Sequence, residues 1–214
     1  MKIVLSTTYL GPVSYYSKLL AYPEVFIEQH EHYLKQTYRN RCIIAGPEGQ
    51  QALTIPIVRN DPSHSEVRDI EISDHGNWRH QHWQALLTAY DNSPYFEYYA
   101  DEIRPFYEKK WKFLLDFNEA LREKIDELVD IQSQINLTDH YFQSSEADDY
   151  RNLISPKSIK TDCLFKTVPY YQVFEEKYGF IPNLSIVDLL FNMGPESLLV
   201  LRDGFCESVQ KVCE

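Results

Sequence analysis

The sequence predicts an α/β fold, with a mixed α+β arrangement as the alternative, and three observations carry that expectation. The chain opens with a β–α–β pattern, continues into a β-hairpin signature, and then turns to amphipathic helices through its middle, before a short C-terminal β/α segment. At 214 residues it has the length of one domain with a sizeable core, so residues 1–214 are read as a single unit.

The first strand is "KIVLS" at 2–6, short and rich in β-branched residues. "PVSYYSKLLAY" at 12–22 sets Val13, Tyr16, Leu19 and Leu20 at helical spacing behind a proline suited to a first helical position. "EVFIEQ" reads as a second buried strand, and this order predicts parallel pairing through a right-handed crossover. "RCIIAG" and "QALTIPIV" flank "GPEGQ", whose glycines and proline supply a hairpin turn. "EVRDIEI" at 66–72 alternates and is a candidate further strand.

From Trp78 the period changes to helix. Trp83, Leu86, Leu87 and Tyr90 share a face, "NSP" at 92–94 stops that helix and starts another, and Pro105 ends or kinks the second. Apolar residues at 113, 114, 117, 121, 125 and 128 predict a long amphipathic helix with a solvated acidic face. Residues 143–162 lose periodicity and predict an irregular loop. Order returns from "PYYQVF" onward, where Ser185 caps an apolar helix and Gly194-Pro195 ends it.

With 32 acidic against 21 basic side chains, the net charge of −11 repels phosphate backbones and anionic lipid, so nucleic acid is not an expected partner. "MKIVLSTTYLGPVSYY" has no extended apolar region or small-residue cleavage site, and no apolar run approaches the roughly 20 residues of a spanning helix. A soluble, cytoplasmic protein without a membrane span is expected. Cys42, Cys163, Cys206 and Cys213 form no CxxC pair and read as reduced structural thiols. No GxGxxG, GxxxxGK[ST] or GxSxG occurs, and seven glycines leave little for a phosphate cradle.

Candidate site residues come from three places. "NWRHQHWQALLTAYDNSPYFEYY" at 77–99 could be a stacking surface, a site wall or a core. Helical spacing assigns most of its rings to core and leaves Trp78, Arg79, His80 and His82 at a helix N-terminus, where backbone N–H groups favour anions and a histidine can titrate near neutrality. Arg39 and Arg41 flank Asn40, where guanidinium forks could hold a carboxylate or phosphate, or pair with local acids. His30 with His32, and His80 with His82, sit two apart and could offer imidazoles to zinc, yet residues two apart on a helix do not share a face, so no metal is assigned. Cys42 between an arginine and "II" is read as packing rather than as a nucleophile.

Several blocks in order resemble the WbqC-like family of bacterial proteins. "TYLGPVSYYSKL" is similar to the family's opening Q-P-x-Y-x-P-W-x-G-Y-F-x-K at Tyr9, Tyr15 and Lys18, and "HYLKQTYRNRCII" to its Q-Y-x-K-x-x-W-x-N-R block at Tyr33, Lys35, Asn40 and Arg41. "LTIPI", Trp78 with His82, "AYDNSPYFEYY" and "LSIVDLLFNMGPES" complete the series. The chain departs from the family at Ser6 and Thr7, where glutamine and proline are expected, at Gly11 and Pro12, where Pro-Trp is expected, and at His32, where glutamine is expected. The resemblance implies an association with surface-polysaccharide biosynthesis. The resulting expectation is an enzyme of glycan or nucleotide-sugar modification, such as acyl or aminoacyl transfer to a sugar amine, without a cofactor. His82 would be the general base, Asn40 and Arg41 would orient an anionic group, and Tyr9, Tyr33, Lys35 and Trp78 would line the pocket. The alternative is a noncatalytic binding or scaffold protein. The enzyme reading requires these groups to converge on one cavity.

Overall fold

The computed structural model describes residues 1–58, 65–143, 147–158 and 161–206. Strand β1 (Lys2–Ser6) is buried from Ile3 onward, so neither of its faces meets water, as parallel strands require. It pairs in parallel with β2 (Glu24–Glu28), Ile3 opposite Val25, across helix α1 (Val13–Ala21). Strand β5 (Gln134–Leu137) extends the sheet beside β2, and β6 (Asp148–Asp149) lies on the other side of β1, all parallel. The order β5-β2-β1-β6 therefore grows outward in one direction and then returns to the far side of β1. Such a reversal opens a crevice at the carboxyl ends of the strands, the usual ligand position in open α/β sheets.

Between β2 and β5 the chain inserts an antiparallel hairpin, β3 (Arg41–Gly46) and β4 (Gly49–Thr54), as its own two-stranded sheet. Helices α2 (Trp78–Tyr90), α3 (Phe96–Ile103), α4 (Pro105–Glu108) and α5 (Leu114–Val129) follow it. After β6 come α6 (Glu175–Tyr178), α7 (Ile186–Met193) and α8 (Ser197–Gly204). The hairpin, the sheet and helices α1, α2, α5 and α7 share one buried apolar cluster that includes Ile3, Ile44, Leu86, Phe117 and Phe191. Among the described residues no helix is long and apolar enough to cross a membrane.

Five expectations need correction. Residues 66–72 do not form a strand: the Asp69 and Ile70 amides bond back to Glu66 and Val67, making a 3-10 turn, and among the described residues the segment makes isolated bridges to His32, Ile57 and Phe113. The buried stripe of α2 runs through Trp78, His82, Leu86, Ala89 and Tyr90, whereas Trp83 and Leu87 are half-buried. In α5 Asp126 is not on a solvated face, because Asn118, Arg122 and Asp126 follow one another at i, i+4 and i+8 on the buried side. The irregular segment 143–162 contains β6, and its positions 144–146 and 159–160 lie outside the described residues. Cys42 and Cys206 are free thiols as expected, but Cys163 is disulfide-bonded; Cys213 lies outside the described residues.

Candidate functional site

A cavity of about 820 Å³ lies where the chain enters and leaves the hairpin. Tyr33, Lys35, Asn40 and Arg41 supply one wall, and Thr54 to Val58 with Ser73 and His75 the other. Asn40 fixes this mouth from both sides: its Nδ2 donates to the Ile55 carbonyl at 2.8 Å, and its own carbonyl accepts from the Ile55 amide at 2.8 Å. Arg41 Nε donates to Thr54 Oγ1 at 3.1 Å. The Ser73 amide donates to the Pro56 carbonyl at 2.9 Å, which brings the segment carrying Ser73 and His75 against the hairpin exit.

The electrostatics of the cavity oppose those of the chain. Lys35 and Arg41 stand in its walls, no carboxylate does among the described lining residues, and the whole protein carries −11. A cleft lined by one sign of charge concentrates ligands of the other sign. Burial pushes the Tyr33 hydroxyl up to about 12, so it stays protonated and can donate.

Four of the seven residues singled out from sequence, Tyr33, Lys35, Asn40 and Arg41, thus share one cavity. Tyr9, Trp78 and His82 do not line it, so the convergence required for an enzyme with His82 as its base is not met. They form a buried aromatic group in which Tyr9 Oη lies 2.9 Å from His82 Nδ1 and 2.8 Å from Tyr107 Oη, while the Trp78 ring meets His82 edge-on. Burial lowers the His82 pKa to about 4, against a hydrogen bond that the ring donates to the Thr54 backbone, which acts in the opposite direction. Near neutrality the ring is uncharged, and it is linked to the cavity wall at Thr54, whose Oγ1 accepts from Arg41. Gln36, Thr54, Ser73 and His75 were not legible as site residues; "SDHGN" signals only a turn, which Gly76 makes at a φ of +80°.

The crevice at the carboxyl ends of the parallel strands is closed to a phosphate at its helix end. The Val13 amide at the start of α1 donates to the Leu184 carbonyl at 2.9 Å and the Ser14 amide to Asn183 Oδ1 at 2.9 Å. The departing residues are structural members here. Ser6 Oγ accepts from Arg39 Nη2 at 2.9 Å, Thr7 Oγ1 donates to Glu119 at 2.7 Å, and a side chain at Gly11 would meet Thr8 Oγ1 at 2.5 Å. Arg39 is fully engaged by Glu31, at 2.9 and 2.5 Å, so the local ion pair takes this arginine and leaves Arg41 for the cavity. Among the described residues no group of three or more His, Cys, Asp or Glu is placed to hold a metal ion.

The model of the WbqC-like protein family matches residues 7–160 and 138–200. An uncharacterized protein of Mycobacterium tuberculosis (strain ATCC 25618 / H37Rv), Rv1507c, is 26% identical over 223 residues, covering 93% of this chain and 96% of the relative. No solved structure matches. With the family model spanning nearly all of the fold and the hairpin-mouth cavity, the chain belongs to the WbqC-like protein family.

Proposed function

We propose that the chain binds an anionic small molecule, of the nucleotide-sugar or activated acyl-donor type, between Lys35 and Arg41, and serves the modification of surface polysaccharide or its nucleotide-sugar precursors. The observation that carries this reading is the pairing of two cations without a carboxylate among the described lining residues of an 820 Å³ cavity, in a chain of charge −11. The Arg41 fork suits a phosphate or carboxylate, and Asn40 and Tyr33 orient the ligand beside it. If the reaction is acyl or aminoacyl transfer to a sugar amine, His75 is the imidazole in the cavity wall able to take the proton. His82 then acts as a positioning residue behind Thr54.

A second reading, a noncatalytic binding protein of the same fold, is favoured by the burial of His82 away from the cavity. Thermal-shift titration with uridine diphosphate glucose, acetyl coenzyme A and pyrophosphate tests the binding claim, since a ligand of the native state raises apparent stability. A saturable rise that Lys35→Ala/Arg41→Ala abolishes supports it; no rise, or a rise the double variant keeps, overturns it. Product analysis with the stabilising ligand and an amino sugar separates enzyme from binder.

A further inference from the structure

We propose a second binding site, at the carboxyl ends of β2 and β6, for an uncharged ring whose edge carries hydrogen-bonding groups. A cavity of about 460 Å³ opens there, within the range of small-molecule sites. Its floor is charged but self-neutralised: Arg151 is held by Glu28 at 3.0 Å and Asp149 at 2.7 Å, and Glu31 is held by Arg39. A charged ligand would have to compete with these pairs, and a neutral one need not.

What the site leaves open is neutral and directional. His30 Nδ1 lies 3.1 Å from Glu66 Oε2, and because a carboxylate only accepts, Nδ1 carries a proton. His30 Nε2 is buried without a hydrogen-bond partner among the described residues. An unmatched buried polar atom is costly, and a ligand hydroxyl, which can donate or accept, is the group it calls for. Asn152 and His32 add exposed side chains with both donor and acceptor capacity, and neither makes a side-chain bond among the described residues. Tyr141 is 49% exposed, with the Arg151 guanidinium 4.5 Å from its ring centroid, and its exposed ring surface is where a ligand ring would stack. Exposed Leu34 completes an apolar rim. A pyranose and a nucleobase share this chemistry, a flat apolar face with a polar edge.

The site is independent of the anion cavity but shares a wall with it. Tyr33 and Lys35 face the first cavity, and His32 and Leu34 the second.

Backbone NMR titration of the full chain with methyl glucoside, methyl galactoside, uridine and adenosine tests the proposal. Saturable shifts at His30, His32, Tyr141 and Asn152 with a glycoside or a nucleoside are expected, and the active arm identifies the source of the ring. Tyr141→Ala should weaken that binding about tenfold, the size of a lost stacking contact. Arg41→Ala should leave it unchanged while weakening pyrophosphate binding, so failure at either site is read separately. No shift at these residues with any of the four compounds, or binding that Tyr141→Ala leaves intact, overturns the proposal.

Discussion

The burial of His82 makes stability depend on pH in a direction that can be worked out. The folded ring has a pKa of about 4, pushed down by burial, while the unfolded chain returns it to about 6.5. Between those values the unfolded state binds a proton that the folded state does not, so stability is full above pH 6.5 and is lost as pH falls toward 4. A shift of about 2.5 units corresponds to roughly 3.4 kcal/mol, of which about 2.5 kcal/mol is lost by pH 4.5. Urea unfolding of the wild type and of His82→Gln, each measured from pH 7.5 to 4.5, isolates this contribution because the other titrations are common to both. The stability of the wild type minus that of the variant should fall by about 2.5 kcal/mol over that range. An imidazole resonance of His82 titrating near 6.5, or a gap constant with pH, would refute the reasoning and return His82 to the candidates for proton transfer.

Asp188 should show the opposite sign. It accepts from Tyr90, Tyr170 and Gln172, yet burial raises it to about 6, so its contribution is present at low pH and is lost as pH rises through 6; in urea unfolding, Asp188→Asn should remove a pH dependence of about 3 kcal/mol. Arg39→Ala strands the buried Glu31 carboxylate and should cost about 3–5 kcal/mol by denaturant titration, with much of that recovered in Arg39→Met/Glu31→Gln. Gly194 sits at a φ of +54°, and a Cβ there would lie 2.5 Å from the Tyr95 ring, so Gly194→Ala should lower stability by about 2–4 kcal/mol in a thermal melt. Lys35→Ala, exposed and without an ion pair among the described residues, should change stability by less than about 0.5 kcal/mol while weakening pyrophosphate binding.

Local pattern was enough for most elements. β-Branched runs marked β1, β2 and the hairpin, and the breaks at 92–94 and Pro105 fell where α2 and α3 end. Strands β5 and β6 were missed because "QINL" and "DD" have little intrinsic β character; they are strands only because β2 and β1 offer them free edges. The α2 stripe was misread by one column. Trp78, His82 and Leu86 lie at i, i+4 and i+8, but a histidine in that column does not declare itself as core until its ring nitrogens find partners.

The sequence by itself determined the α/β class, the hairpin, the family and four of the residues at the hairpin mouth. Those four stand in one short stretch, Tyr33 to Arg41, where chain connectivity already keeps them close. Tertiary structure decided the rest, because it depends on partners distant in sequence. It took Arg39 into a buried pair and left Arg41 at the cavity, placed Tyr9 on His82 across 73 residues, and brought Ser73 and His75 to the opposite wall. A side chain's type shows which chemistry it can do, but whether it faces water, a ligand or another side chain is settled only when the chain closes on itself.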